Sequence, residues 1–293
     1  MKKIAALYTC HNRKEKTLKA LKALYGAYDT FKDGESFELD VFLTDDGSTD
    51  GTGLAVKQTY PDVYIQEGNG QLFWAEGMRK SWKEALKGKY DAYLLLNDDT
   101  DVYPHVFDQL IATHTHCIKE YGQSGIYIGA TKDQNTGKLT YSGSVLKNRF
   151  LYTKERLSPN GSFQPCHLGN ANIMMATADV VDRIGILSEG YAHGKADYDY
   201  TLMAVEQNIP VLIAPQYCGN CINDHRDMYD GFAKMTLKER KKKLLSPTGL
   251  DFQSHIKFSR KFFPLRAPMV WAVGWFKILF PHIYLRTLTK SRN

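Results

Sequence analysis

The chain has 293 residues, 43% of them hydrophobic and 24% charged, which is enough to bury a full core and excludes a disordered protein. No run reaches the ~18 apolar residues of a membrane-spanning helix, and five cysteines, an odd number, argue against a disulfide framework. The net charge of +6 is local. From Lys238 onward there are 13 Lys and Arg against 2 Asp and Glu, net +11, which leaves −5 for residues 1–237 (25 against 30). Basic residues therefore avoid the motif-rich part of the chain, and nucleic acid is not an expected partner. The opening run Met1 to Tyr8 is too brief for a secretory signal, so a cytoplasmic location is expected.

Over the first hundred residues, short apolar runs alternate with amphipathic stretches. Ile4 to Thr9 reads as a buried strand, and Glu15 to Tyr25 as a helix with Leu18, Leu21, Leu24 and Tyr25 on one face. Phe37 to Thr44 reads as a second strand, closed by the polar turn Asp45-Asp46-Gly47-Ser48-Thr49-Asp50, which also caps a helix. Val63 to Gln66 is a short third strand, Trp74 to Leu86 a helix, and Ala92 to Leu96 a fully apolar fourth strand. This alternation predicts an α/β fold with a mainly parallel central sheet flanked by helices. The second half is less regular. Gly125 to Thr131 and Lys138 to Gly143 read as strands around the turn Asn135-Thr136-Gly137, and a loop runs from Ser158 to Pro165. The apolar run Ala171 to Ala176 and a short helix near Val180 follow. Asp197 to Gln207 reads as a helix, Val211 to Ala214 as a strand, and the charged helical run Leu237 to Leu245 marks the end of the core.

Ligands of open α/β sheets bind beyond the carboxyl ends of the strands. Three polar motifs fall there: Thr9-Cys10-His11-Asn12-Arg13, Asp45-Asp46, and Asn97-Asp98-Asp99-Thr100-Asp101. Asp98, Asp99 and Asp101 repel one another unless a cation or solvent neutralises them. A hard divalent cation, Mn²⁺ or Mg²⁺, suits such oxygen ligands and leaves positions open for phosphate oxygens; the alternative is a solvated acidic turn that caps a helix. Asp46 at a strand end suits hydrogen bonds from a ribose or base, or equally a turn with a helix cap. Phe73 and Trp74 suit either a sugar- or base-stacking pocket or the core. No GxGxxG or GxxxxGK[ST] loop occurs. Cys218-Gly219-Asn220-Cys221 is a lone CxxC, for which buried free thiols are the expected reading over zinc.

These three motifs, in this order and spacing, resemble the successive motifs of family 2 glycosyltransferases. Gly68-Asn69-Gly70-Gln71-Leu72-Phe73-Trp74 resembles the glycine- and aromatic-rich loop of that family. Gly169-Asn170-Ala171-Asn172-Ile173-Met174-Met175 and Ile184-Gly185-Ile186-Leu187 are similar to the acceptor-side segment of its rhamnosyltransferase-like branch. The resemblance covers Lys3 to about His225. It implies a GT-A fold, a nucleotide-diphospho-sugar donor, a divalent cation and inversion at the anomeric carbon. By position, Thr9, Arg13, Asp46, Asn69, Trp74 and Asp98 would meet the nucleotide sugar, and Asp99, Asp101 and His225 the metal. Asn97 stands at the first position of the usual Asp-x-Asp, so the resemblance leaves open whether Asp98 or Asp101 assists Asp99. The family's Glu-Asp-x-Asp segment is here Ala196-Asp197-Tyr198-Asp199. It implies Asp197 as the base that takes the acceptor proton, with Asn170, Asn172 and Asp199 on the acceptor side; the alternative is that Asp197 and Asp199 only stabilise a helix N-terminus.

Residues 1–236 are thus expected to form the GT-A catalytic domain, with a donor half to about 103 and an acceptor half from 104. Residues 237–293 are expected to form a basic helical extension. In it, Arg266 to Phe280 carries two tryptophans and lies among Lys257, Arg260, Lys261, Lys277 and Arg286. That pattern suits the surface of a membrane, here its inner face, over 257–286; a helix docked on the catalytic domain or on the second subunit of a homodimer is the alternative. The acceptor would be a saccharide or a lipid-linked one, as in assembly of envelope polysaccharide or glycolipid. A non-catalytic nucleotide-sugar or polysaccharide-binding protein and a glycoside hydrolase are the competing functions.

Overall fold

The computed structural model describes residues 1–31, 37–222 and 229–292, with side chains to Arg286. The chain opens with β1 (Lys3–Cys10), α1 (Lys14–Thr30), β2 (Glu38–Asp45), α2 (Thr52–Thr59), β3 (Tyr64–Glu67), α3 (Phe73–Ala85) and β4 (Ala92–Leu96). β1 pairs in parallel with β2 on one side and β4 on the other, and β3 extends β2 in parallel. Register brings Cys10 beside Asp45, and Asp45 beside Glu67, so the polar motifs leave the sheet at one edge.

Both faces of these strands are covered, which is why they read as continuous apolar runs. Alternate residues serve opposite faces. Ile4, Ala6, Tyr8, Leu94 and Leu96 pack with Leu21 and Leu24 of α1, whereas Ala5, Leu7 and Leu95 pack with Met78, Trp82 and Ala85 of α3. Burial of each large side chain among these contributes about 1.5–3 kcal/mol.

Next come β5 (Asp101–Val102), α4 (Val106–Tyr121), β6 (Ile126–Lys132), β7 (Leu139–Tyr141), β8 (Gly143–Asn148), β9 (Thr153–Arg156), β10 (Gln164–Pro165), β11 (Leu168–Gly169) and β12 (Ile173–Thr177). They are followed by α5 (Ala178–Ile184), α6 (Ala196–Glu206) and β13 (Val211–Asn220). The main sheet runs β10-β13-β6-β12-β4-β1-β2-β3. β12 lies antiparallel between β4 and β6, and the short strands β10, β5 and β7 are antiparallel to β13, β13 and β6, so the long strands of the sheet are parallel apart from β12. β11, β8 and β9 form a small antiparallel sheet. The expected strand Lys138 to Gly143 is in fact two, β7 and the start of β8, which belong to different sheets.

α4 was not anticipated. Its Val106, Phe107, Leu110, Thr113 and Cys117 are buried at helical spacing, but Thr113-His114-Thr115-His116 interrupts the apolar pattern.

The extension consists of α7 (Leu237–Leu245), α8 (Phe252–Phe262), α9 (Ala267–Leu279) and α10 (Pro281–Arg292). Thr236 and Glu239 form a reciprocal capping box at the start of α7. α8 packs Phe258 and Phe262 against Tyr191, Tyr198 and Leu202, so it shares a core with α6. α9 crosses α8 closely at Gly274, where an added Cβ would collide with the Phe252 ring. Among the described residues no helix is long and apolar enough to cross a membrane. All five cysteines are free and buried.

Candidate active site

A cleft of about 700 Å³ opens at the carboxyl ends of β1, β2 and β4. Thr9, His11, Arg13, Asp46, Trp74, Asp98, Asp99, Asn170, Asn172, Lys195, Asp197 and Tyr198 are among its lining residues.

Asp46 is 3% exposed, and its carboxylate faces the loop between β3 and α3. Oδ1 accepts the Gly70 N–H at 2.8 Å, and Oδ2 accepts those of Leu72 and Phe73 at 2.9 and 3.0 Å. The last two belong to the start of α3, which has no local side-chain cap, so Asp46 satisfies orphan helix donors from a different strand. Phe73 sits at φ +56°, a left-handed conformation unusual for an aromatic residue, and the Asp46 contact helps to hold it there. Gly68 cannot be replaced without cost, because a Cβ there would lie 2.5 Å from Asp46 Oδ1. The neighbouring Asp45 does the turn-capping: it accepts the Ser48 and Gly53 N–H groups, both at 2.9 Å.

The motif after β1 is stitched to the same turn. Asn12, at φ +50°, accepts the Thr49 N–H at 2.7 Å. His11 Nδ1 lies 2.6 Å from the Asp46 carbonyl and must donate to it, since a carbonyl only accepts. Its Nε2 then accepts from the Asn12 amide at 3.2 Å.

Asp98 and Asp99 extend from the end of β4. Arg13 Nη1 reaches both, at 3.0 Å to Asp98 Oδ1 and 2.7 Å to Asp99 Oδ2. Asp98 Oδ2 is buried and has no hydrogen-bond partner among the described residues. Burial pushes the Asp98 carboxyl up to about 6, with Arg13 opposing and Asp99 adding to the rise. Cys221 Sγ lies 3.6 Å from Asp99 Oδ1, and burial and the Asp99 charge push that thiol up to about 12. Asn97, at the variant first position of the motif, accepts the Trp74 indole N–H at 2.8 Å, which fixes Trp74 in the cleft wall.

These groups suit a divalent cation. A buried carboxylate oxygen without a partner, next to a second carboxylate, is a hard-oxygen pair of the kind Mg²⁺ or Mn²⁺ uses together with substrate phosphates. Among the described residues no group of three or more His, Cys, Asp and Glu side chains forms a ready metal cluster, so ligand oxygens would have to complete the shell.

Asp197, also in the cleft lining, lies in the first turn of α6. Its Oδ1 accepts the Tyr198 N–H at 2.8 Å and its Oδ2 the Asn170 amide at 3.1 Å. Desolvation raises its pKa, opposed by those two hydrogen bonds and by Lys195 and Lys154. The buried Asn172 is held between Cys221, at 3.6 Å, and the Asn97 N–H, which donates to its carbonyl at 3.3 Å.

Several expected residues lie elsewhere. Asp101 is outside this cleft: it lines a smaller depression and pairs with Lys19 at 2.5 Å. Asn69 is exposed, and its side chain closes an Asx-type turn onto the Gln71 N–H. Asp199, expected on the acceptor side, is fully buried and points away from the cleft. It accepts from Tyr191 at 2.8 Å and Ser188 at 2.5 Å and pairs with Lys261 of α8 at 2.8 Å. Two residues along a helix rotate a side chain by about 200°, so Asp197 and Asp199 cannot share one face. His225 lies outside the described residues. Phe73, a candidate for the stacking pocket, lines the cleft, and so do His11, His193, Lys195, Tyr198 and His255, which were not singled out as site residues. His11 stood inside a quoted motif, but the contribution of His255 from α8 carried no local signal.

No family model matches the sequence, and a search of curated proteins finds no match. Solved structures do share the fold. The chain is similar to the mannosyltransferase PcManGT from Pyrobaculum calidifontis, in complex with GDP-Man and Mn²⁺, with TM-score 0.55 and 13% identity over 94% of this chain and 70% of that one. It is also similar to S. aureus TarS 1–349, with TM-score 0.52 and 14% identity over 97% and 82% of the two chains. A longer S. aureus TarS chain gives TM-score 0.51 and 16% identity over 90% of this chain and 44% of that one. What these likenesses show is the fold, a mixed α/β architecture with a mostly parallel central sheet, shared with these glycosyltransferase structures.

Proposed function

We propose that the protein is an inverting, metal-dependent glycosyltransferase that moves a sugar from a nucleotide-diphospho-sugar to an acceptor hydroxyl. The observation that carries this reading is the presence of two separate acidic sites in one cleft: Asp98 and Asp99, with a buried oxygen that has no partner among the described residues, and Asp197. The shared fold with a mannosyltransferase solved with GDP-Man and Mn²⁺ supports it.

In this reading the Gly70–Phe73 loop, held by Asp46, and the Trp74 ring border the nucleotide sugar. Asp98 and Asp99 would hold the cation, which when bound offsets charge on the leaving diphosphate. Arg13, which compensates the two carboxylates in the ligand-free protein, is close enough to turn toward phosphate oxygens. Asp197 takes the proton of the acceptor hydroxyl as the new C1–O bond forms; the bond from C1 to the diphosphate oxygen breaks, and the nucleoside diphosphate leaves. A raised pKa suits a base that must hold this proton.

The extension adds a membrane-facing role. Leu265, Met269, Trp271, Leu279, Phe280 and Ile283 are all at least half exposed, near the basic residues of α7 and α8. An apolar face beside cations matches an anionic bilayer surface and thus a lipid-linked acceptor.

Thermal-shift measurements with UDP-, GDP- and dTDP-sugars, with Mn²⁺ or with EDTA, test the central reading. One nucleotide class should stabilise the protein only with Mn²⁺, by about 2.7 kcal/mol at a hundredfold excess over Kd. No stabilisation by any of them would overturn it.

A further inference from the structure

Lys195, Asp197 and Tyr198 line the cleft, and Lys154, which does not, joins them through the Tyr198 hydroxyl. Lys154 Nζ donates to the Tyr198 hydroxyl at 2.8 Å, and Lys195 Nζ lies 4.9 Å from the centre of the same ring. Among the described residues neither ammonium, nor the Arg156 guanidinium beside them, forms an ion pair with a carboxylate; Arg156 donates to the Thr140 carbonyl at 2.9 Å. The acidic groups facing this cluster are Asp197, already bound by Tyr198 and Asn170, and Asp251, whose Oδ2 accepts the Gly194 N–H at 2.7 Å. Burial first, and the neighbouring like charges second, register on the groups themselves. Burial, Lys195 and Arg156 push Lys154 down to about 8, and burial with Lys195, Lys277 and Lys154 pushes His255 down. Two ammonium groups facing one tyrosine, with too little negative charge nearby, form a site that an anion would complete.

We propose that Lys154, Lys195 and Tyr198 form a second anion site, on the Asp197 side of the cleft, that binds a phosphate group of the acceptor. This rests on the glycosyltransferase reading for the word acceptor, but the site itself is defined by the cations. It shares no residue with the donor-diphosphate site proposed at Arg13, Asp98 and Asp99. A phosphate held next to Asp197 would fix the acceptor and bring a nearby hydroxyl toward the base. The phosphate could belong to a soluble phosphodiester chain or to the headgroup of a lipid.

The test uses the full chain and inorganic phosphate as probe, titrated by calorimetry. Lys154→Gln and Lys195→Asn remove the charges; Gln keeps a donor that can meet the Tyr198 hydroxyl, and Asn tolerates the φ of +71° at position 195, so the double variant should fold. Phosphate should bind the double variant about tenfold more weakly than the parent, while Arg13→Gln should leave this affinity nearly unchanged. Lys154→Gln alone should give an intermediate loss. Equal affinity in the double variant, or loss on Arg13→Gln only, overturns the proposal. Parallel titrations with glycerol 3-phosphate and with phosphatidylglycerol vesicles identify the source: the arm that weakens in the double variant names it, and no change in either overturns the assignment. Mn²⁺-dependent nucleotide binding, measured on the same proteins, should be retained in the double variant. Its absence from the parent protein would overturn the transferase reading and leave the phosphate result standing.

Discussion

Arg13 and Asp98 join the ends of β1 and β4 through one contact, Nη1 to Oδ1 at 3.0 Å, which leaves the second Asp98 oxygen buried without a partner among the described residues. The carboxyl is pushed up to about 6, against an ordinary value near 3.9 in the unfolded chain. A raised folded-state pKa means that the folded protein binds this proton more tightly. The associated stability is fully present below about pH 4 and is lost as pH rises through about 6. Asp98→Asn mimics the protonated form and leaves Arg13 its bond to Asp99. It should stabilise the ligand-free protein by about 1–3 kcal/mol at pH 7.5 and by nothing at pH 4, as read by urea unfolding. It should also abolish Mn²⁺-dependent stabilisation by nucleotide. A less stable variant at pH 7.5 would show that the charged form is favourably held.

Asp46 makes a different kind of contribution, through backbone. Its replacement by Ala strands the N–H groups of Gly70, Leu72 and Phe73, of which Phe73 is already at positive φ. The expected cost is about 2–4 kcal/mol, as several donors lose one anionic acceptor. Amide hydrogen exchange over residues 68–73 should accelerate, and nucleotide binding should weaken with it. Asp46→Asn, which keeps one acceptor oxygen, should retain part of both. Unchanged protection of those amides would show that the loop holds its shape without the carboxylate.

The parallel half of the fold was legible because β1, β2 and β4 are buried on both faces and so appear as unbroken apolar runs ending in polar motifs. α4 was not, since buried Thr113 and its histidine neighbours look polar, and only the packing of Phe107 and Leu110 against the sheet makes the stretch a helix. Asp46, Asp98 and Asp99 were legible as carboxylates directly beyond strands that share an edge. Asp101 and Asp199 looked equivalent to their neighbours, and their separation depends on partners distant in sequence, Lys19 and Lys261. His255 joins Lys195 and Tyr198 in the cleft only because α8 docks onto α6, which no local pattern encodes.

The apolar face of α9 supports a membrane measurement. Trp271 is 54% exposed and Phe276 37%, while Lys241, Lys243, Lys257 and Arg260 lie on the neighbouring helices. Burial of a large apolar side chain contributes about 1.5–3 kcal/mol, and each basic residue near an anionic surface about 1 kcal/mol. Trp271→Ser with Phe276→Ser should therefore reduce co-sedimentation with phosphatidylglycerol vesicles at least about tenfold. Phosphatidylcholine vesicles should bind the parent protein more weakly than phosphatidylglycerol ones. Equal binding by the variant would sink the idea, as would a parent protein that ignores vesicles and instead dimerises through this face in sedimentation velocity.

Asp197 carries the sharpest kinetic expectation. As a base it must be ionised before the acceptor arrives, so kcat/KM should rise with pH through its pKa. Burial places that acid limb above the ordinary carboxylate range. The Asn170 amide at 3.1 Å favours the charged form, so Asn170→Ala should move the limb to still higher pH without abolishing turnover. Asp197→Asn should keep the fold, because the new side chain still accepts the Tyr198 N–H and Asn170 can rotate to present its oxygen. It should bind nucleotide as before and lose at least ~10²-fold in turnover. A structural role at the start of α6 predicts the opposite split: lower stability, near-normal turnover, and an acid limb that ignores Asn170.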